Sequence, residues 1–156
     1  MTTAAPATRV TLPAWQGWIR AGSGYPTEVT GGSSGRIELG AAVFSLPEPG
    51  EAKTTSWARV DGRFCAFTGF LYNRRDLARE LGLEAESSPA EVALAGYVRW
   101  GFDLLGRLEG PFACAVWDQP AETLLCGRDI IGMHPFFYSV AGEELIFSWD
   151  LETVLG

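Results

Sequence analysis

The stretch "TGFLYNRRDLARELG" (residues 68–82) carries the chain from an apolar strand into a helix. The apolar run at residues 64–67 just before it is typical of a buried strand. Asn73 is a residue type that favours a helix N-cap, and Leu77 and Leu81 then stand four residues apart on one helix face. The stretch therefore predicts a strand that ends at Thr-Gly and passes directly into a helix.

The pattern outward from this stretch predicts strands, then helices, then strands again. Strands are predicted at 14–22, 36–46, 54–60, 63–72, 109–118, 122–129, 135–140 and 145–150. Helices are predicted at 73–82, 88–101 and 102–108, with a first helical turn at 151–156. This order predicts an α+β domain whose antiparallel sheets are covered by helices. Residues 1–13 are expected to form a flexible N-terminal arm, and 14–156 the domain.

Two short signals fix local geometry within this plan. Asp61-Gly62 lies between two apolar runs, which predicts a hairpin with a type I′ turn. Ser88 and Glu91 have the spacing of a capping box, with Pro89 at the first helical position. The second helix should therefore begin at Pro89.

Composition excludes several classes of function. The chain has 156 residues, 47% hydrophobic and 20% charged, with a formal net charge of −7. This balance argues against a nucleic-acid partner, which needs clustered basic residues. No apolar run reaches the roughly 20 residues that cross a bilayer, and no signal peptide is evident. The odd set of Cys65, Cys114 and Cys126, with no CxxC motif, predicts reduced, buried thiols in a cytoplasmic protein.

Two features that suggest cofactor chemistry lack the context for it. The segment "GGSSG" (residues 32–36) is glycine-rich, but no Lys follows and no strand leads through it into a helix, so we interpret it as a loop. His134 is the single histidine and has no partner in the sequence for a tetrahedral metal site. We interpret it as a loop residue beside Pro135, and we expect neither a metal nor another cofactor in this chain.

The segment "GRDIIGMHPFFY" (residues 127–138) predicts a structured loop before an aromatic strand. The adjacent charges of Arg128 and Asp129 follow an apolar run, which indicates either an ion pair or backbone capping. Gly132 and Pro135 then mark a turn.

Three blocks, taken together and in this order, resemble a known family: "TGFLYNRRDLARELG", "SSPAEVALAGYVRWGFDLLGRLEGPFACAVWD" and "LLCGRDIIGMHPFFYSVAGEELIFSWDLETVL". They are similar to the N-terminal glutaminase-like domain of the asparagine synthetase family, the class II glutamine amidotransferases. That family also contains β-lactam synthetases and lasso-peptide cyclases. The resemblance covers about residues 14–155 and implies a four-layer αββα sandwich of the Ntn-hydrolase type.

The resemblance also locates the family's functional positions, and each carries a different residue type here. The nucleophilic cysteine falls at Pro13, the oxyanion asparagine at Thr68, the two amine-binding carboxylates at Phe70 and Pro89, and the carboxylate-binding arginine at Ala42. Gly69 is retained and could still offer its amide. Residues implied to keep a structural or interface role are Tyr72, Asn73, Arg128, Asp129, Gly132 and Pro135.

Losing a single oxyanion donor typically costs about 10²–10³ in rate, so the loss of every component implies no catalysis. The resemblance thus implies an inactive glutaminase-like domain that acts as a structural or docking module of an ATP-dependent, amide-forming ligase. The first strand "AWQGWIRAG" favours the lasso-cyclase type over the β-lactam synthetase type. ATP and Mg²⁺ are then expected only in a synthetase domain, present in cis or in trans. A precursor peptide or its processing proteins are further candidate partners, and the docking faces are expected at residues 128–135 and the C-terminal tail.

Two other interpretations stay open. Thr2, exposed by removal of the initiator Met, could act as the N-terminal nucleophile of an active amidohydrolase. The vacated pocket could instead bind a peptide or amino acid, with Phe70, Trp15 and Trp18 making it apolar. Against that second interpretation, we expect the Phe70 side chain to plug the old site.

Overall fold

The computed structural model describes residues 16–20, 36–39, 42–45, 54–141, 144–148 and 151–155. Within them the elements are β1 (Gln16–Arg20), β2 (Arg36–Leu39), β3 (Ala42–Ser45), β4 (Thr55–Val60), β5 (Arg63–Gly69), α1 (Arg74–Leu81), α2 (Pro89–Trp100), a 3₁₀ helix (Gly101–Gly106), β6 (Phe112–Asp118), β7 (Thr123–Arg128), β8 (Phe137–Ala141), β9 (Glu144–Ser148) and α3 (Leu151–Leu155). The predicted arm at 1–13 and the loop at 32–36 lie outside the described residues.

The strands form two antiparallel sheets. One has the order β2-β3-β1-β9-β8 and the other β4-β5-β6-β7. Helix α2 packs on β4 and β5, with α1 beside it, while α3 packs on β8 and β9. The layers are therefore helix, sheet, sheet and helix, which confirms the predicted αββα sandwich. No helix in the described ranges is long and apolar enough to cross a membrane.

The two central strands of the four-stranded sheet, β5 and β6, are buried on both faces. All seven residues of β6 are buried, as its continuous apolar run predicts. One face packs against the helices through a cluster that includes Phe67, Cys114 and Val92. The opposite face, with Phe64 and Trp117, meets Phe147 of the other sheet.

The local signals at the hairpin and at α2 are confirmed. Asp61 and Gly62 both have positive φ, 47° and 73°, as a type I′ turn requires. At the start of α2, the Glu91 amide donates to Ser88 Oγ at 3.2 Å. The Ser88 amide in turn donates to the Glu91 carboxylate at 2.6 Å. Pro89 occupies the first turn, so α2 starts as the sequence predicts.

Several predicted elements differ in kind or in bounds from the structure, among them the strand at 109–118, which begins at Phe112. The prediction of a single strand at 36–46 is wrong. The strands β2 and β3 pair antiparallel with Leu39 opposite Ala42, so the chain reverses between them. Gly40 is a residue type that favours so short a reversal. The helix at 102–108 is instead a 3₁₀ helix at Gly101–Gly106, and the strand at 63–72 ends at Gly69.

Candidate functional site

The end of β5 places Thr68 between the two sheets. Thr68 pairs with Thr55 and with Ala113, and opposite residues in antiparallel strands share a face. Ala113 belongs to the cluster that meets Phe147 of the other sheet, so the Thr68 side chain faces the interior of the sandwich. It is 1% exposed, and Thr55 Oγ1 donates to Thr68 Oγ1 at 3.4 Å. The position that the resemblance assigns to an oxyanion asparagine is thus buried and already engaged.

Gly69 is locked by the backbone around it. Its φ is +102°, and a β-carbon there would collide with the carbonyl oxygen of Pro111. Its amide donates to the carbonyl oxygen of Thr54 at 3.0 Å. The amide that the sequence leaves open as an oxyanion donor is therefore occupied within the sheet.

His134 lies directly over this strand end. A β-carbon on Gly69 would stand 2.8 Å from His134 Nε2 and 2.9 Å from its Cδ2. The sequence places His134 correctly in a loop but gives no sign of this contact. Only a pairing between distant segments brings the ring to Gly69.

The Asp129 carboxylate holds the turn that carries His134. It accepts the Met133 amide at 3.0 Å and the His134 amide at 3.2 Å. The Gly132 amide adds a bond to the Asp129 carbonyl oxygen at 3.0 Å. Burial alone would raise the pKa of the Asp129 carboxyl, but these backbone donors outweigh it and the pKa lies below its usual value. Of the two predicted roles for the charged pair, backbone capping is the one observed.

The segment after Gly69 continues the β5–β6 pairing. The Phe70 amide donates to the Pro111 carbonyl oxygen, and the Tyr72 amide to that of Glu109, both at 2.8 Å. The Phe70 side chain is 55% exposed. The prediction that the Phe70 side chain plugs the old site is therefore wrong, because a side chain that fills a closed interior would be buried.

Asn73 ties the same segment to the loop before β6. Its Nδ2 donates to the Arg107 carbonyl oxygen at 2.8 Å, and its Oδ1 accepts the Glu109 amide at 3.2 Å. It stands at the N-cap position of α1 but makes no side-chain capping bond. Asn73 therefore occupies the predicted N-cap position, but its side chain bridges to the loop before β6 and does not cap the helix.

The other predicted positions lie apart from this strand end. Pro89 begins α2, and the Ala90 amide donates to Ser56 Oγ at 3.1 Å. Ser56 pairs with Phe67, which belongs to the helix-facing cluster, so the start of α2 lies on the sheet face opposite Thr68. Ala42 is in β3 of the other sheet, where it pairs with Ile19. Pro13 and Thr2 lie outside the described residues.

A groove of about 450 Å³ opens beside the site. The groove is lined by the loop that follows Arg128 and by residues around Leu105 and Leu108. Among the residues that the structure describes, no group of three or more His, Cys, Asp or Glu side chains could hold a metal ion. The described site is thus an apolar groove beside a closed strand end.

Comparison with known families decides the affiliation of the chain. The glutamine amidotransferase domain family matches residues 40–156. The chain belongs to this family. The sequence of asparagine synthetase [glutamine-hydrolyzing] 3 from Bacillus subtilis is 39% identical over 93 residues, which are 57% of this chain and 15% of that protein. A putative asparagine synthetase [glutamine-hydrolyzing] 2 from Methanocaldococcus jannaschii is 34% identical over 90 residues, 57% of this chain and 18% of that protein.

A solved structure shares the fold of this amidotransferase domain. Glutamine phosphoribosylpyrophosphate amidotransferase from B. subtilis, solved with ADP and GMP, superposes with a TM-score of 0.57 at 14% identity. The match covers 91% of this chain and 37% of that one. At this identity the likeness establishes the Ntn-type architecture alone. The chain spans less than a fifth of the two curated relatives above.

Two of the three thiols of the amidotransferase domain lie in the core as predicted, and the third, Cys126, is only partly buried. All three cysteines are free, and Cys65 and Cys114 are buried. Burial raises the pKa of Cys65 well above its usual value, and raises that of Cys114 to about 12. Burial also raises the pKa of Cys126. None of these thiols is therefore activated as a nucleophile.

Proposed function

We propose that this chain is a catalytically silent glutaminase-like domain that serves as a structural or docking module. Its partner is the synthetase region of an ATP-dependent, amide-forming ligase of the asparagine synthetase family, in cis or in trans. The type we propose is that of lasso-peptide cyclases or β-lactam synthetases, in which the substrate supplies its own amine and no ammonia is needed. ATP and Mg²⁺ then bind in the synthetase region, and the three free thiols support a cytoplasmic location.

The observation that carries the proposal is the state of the β5 end. A glutaminase needs donors aimed at the oxygen on which negative charge develops. At this strand end the Thr68 side chain is buried against Thr55, and the Gly69 amide donates to Thr54. The His134 ring covers Gly69. Of the two donor positions that the resemblance assigns to this strand end, one is therefore replaced and the other is engaged.

Two observations support the docking role. The curated relatives are several times longer than this chain, since the matched residues make up 15% of one and 18% of another. Helix α3 leaves Leu151 46% exposed and Leu155 75% exposed. A neighbouring domain packed on α3 would cover these leucines.

A glutaminase assay tests the loss of catalysis. The purified chain is incubated with glutamine, and glutamate and ammonia are measured, with B. subtilis asparagine synthetase 3 as the positive control. We expect no release above the enzyme-free blank, and none from Thr68→Asn, because the Gly69 amide stays engaged. Turnover by the chain would contradict the proposal. If that turnover vanished in Thr2→Ala, the activity would belong to an N-terminal threonine.

A thermal-shift screen tests the alternative of a binding module. The chain is melted with glutamine, with other amino acids and with leader-type peptides. We expect no change in Tm with any of them. A concentration-dependent rise in Tm would favour a ligand-binding pocket over a structural domain.

A further inference from the structure

A short loop projects three apolar side chains into solvent. In the segment 130–133, here called the 130–133 tip, Ile130 is 105% exposed, Ile131 82% and Met133 65%. Apolar groups clustered on a surface in this way usually mark an interface. The backbone of the tip is fixed by the Asp129 carboxylate and carbonyl oxygen. The tip is therefore presented in one conformation, which lowers the entropy cost of binding.

The same face also carries a recess. Three residues of the tip line the groove of about 450 Å³ together with Tyr72, Leu105 and Leu108. Tyr72 is itself 75% exposed. A projecting apolar element and an apolar recess thus lie side by side on a single surface.

Two opposite charges line the groove. Arg128 and Glu109 both line it, and neither forms an ion pair with any residue in the described ranges. In an interface with twofold symmetry, residue i of one copy meets residue j of the other, and the reverse contact follows. Arg128 would then pair with Glu109 of the partner subunit, and Glu109 with the partner subunit's Arg128.

We propose that a second copy of this chain covers this face, in a symmetric dimer in which each 130–133 tip enters the groove of the other. The occupant is a second copy because one surface carries the projection, the recess and both members of the charge pair. Self-complementarity of this kind is what a twofold interface requires. The proposal is independent of whether the domain is catalytically silent.

Sedimentation equilibrium of the 156-residue chain over a range of concentrations tests the dimer. We expect a monomer–dimer equilibrium whose dissociation constant rises at least about tenfold in Ile131→Glu, because a carboxylate would be buried against apolar walls. Val98→Glu is the matched control: Val98 is 57% exposed on α2 and does not line the groove. It should leave the equilibrium unchanged. A chain that stays monomeric at every concentration overturns the proposal, and is the result expected if the synthetase region covers the tip instead.

A charge reversal distinguishes this interface from any other dimer. Arg128→Glu and Glu109→Arg should each weaken association about tenfold, since each places like charges together. The double variant Arg128→Glu/Glu109→Arg should recover most of the loss. Circular dichroism checks that each variant is folded, and Ile130→Glu replaces Ile131→Glu if that variant is not. A dimer that persists unchanged in Ile131→Glu, or a double variant no better than the singles, contradicts the proposed contact.

Discussion

The imidazole of His134 lies against the α-carbon of Gly69, so that Nε2 is 2.8 Å from the point where a β-carbon would stand. This contact joins the turn after β7 to the end of β5. Both partners are fixed through their backbone amides, since the Gly69 amide donates to the Thr54 carbonyl oxygen and the His134 amide donates to the Asp129 carboxylate. The strand end is therefore closed by rigid groups.

Gly69→Ala should destabilise the fold severely. The alanine must keep the φ of +102°, and its methyl group meets the Pro111 carbonyl oxygen. We therefore expect a loss of about 3 kcal/mol in the free energy of unfolding, or failure to fold. Gly82→Ala is the control, because its φ is +71° but nothing lies within 4 Å of the added carbon. It should cost only about 1 kcal/mol. Urea denaturation measures both, and equal losses would contradict the crowding at Gly69.

Asp129→Asn should weaken the turn that carries His134. The amide group keeps one acceptor but turns an N–H toward a backbone donor, so we expect a loss of about 1–3 kcal/mol at pH 7 by urea denaturation. Asp76→Asn is the control, since the Asp76 side chain is exposed and, among the residues that the structure describes, its carboxylate accepts a bond from Arg79 one turn away on α1. A loss no larger than that control would show that the Asp129 hydrogen bonds contribute little.

The Asp129 contribution should also depend on pH in a defined direction. The pKa of Asp129 is lower in the folded chain than in the unfolded one, so its stabilisation is complete above the unfolded value of about 3.9. It is lost as the pH falls through the folded value. The gap in Tm between the wild-type chain and Asp129→Asn should therefore narrow below about pH 4. A gap that stays constant down to pH 2.5 would contradict the lowered pKa.

The substitution Asn73→Asp distinguishes two roles for this side chain, capping of helix α1 and bridging to the loop before β6. If Asn73 capped α1, aspartate would be an equal or better cap. The Asn73 Nδ2 group donates to the Arg107 carbonyl oxygen. An aspartate would place a carboxylate oxygen against that carbonyl oxygen, and neither atom can donate a hydrogen bond. We expect Asn73→Asp to lose about 1–3 kcal/mol, no less than Asn73→Ala. Thermal unfolding of the two variants decides between these roles, and an aspartate variant as stable as the wild type would restore the capping interpretation.

The thiols should differ in their access to reagents. Cys65 and Cys114 are fully buried with raised pKa values, so alkylation by iodoacetamide at pH 8 should require unfolding. Cys126 is only partly buried and should be modified first, although its raised pKa slows the reaction. Pulsed alkylation with peptide mapping gives the order, and Cys126→Ser checks the assignment. Rapid labelling of Cys65 in the native chain would show that the core opens.

Features encoded within a few residues were predictable from the sequence. The type I′ turn at Asp61-Gly62 and the capping box of Ser88 and Glu91 depend on contacts between near neighbours, so the residue types alone specify them. The break between β2 and β3 was missed, because apolar residues continue through a reversal as they would through one strand. Likewise the partner of Asn73 is 34 residues away, beyond the reach of any local pattern.

The sequence by itself indicated the family through its motifs, and it predicted the order of strands and helices apart from the reversal between β2 and β3. These follow from composition, spacing and residue identity along the chain. Only the tertiary structure decided that the Gly69 amide is engaged, that Phe70 is exposed, and that His134 covers the end of β5. Such relationships depend on which distant segments the two sheets bring together, and hydrogen-bond partners and exposure are properties of that packing.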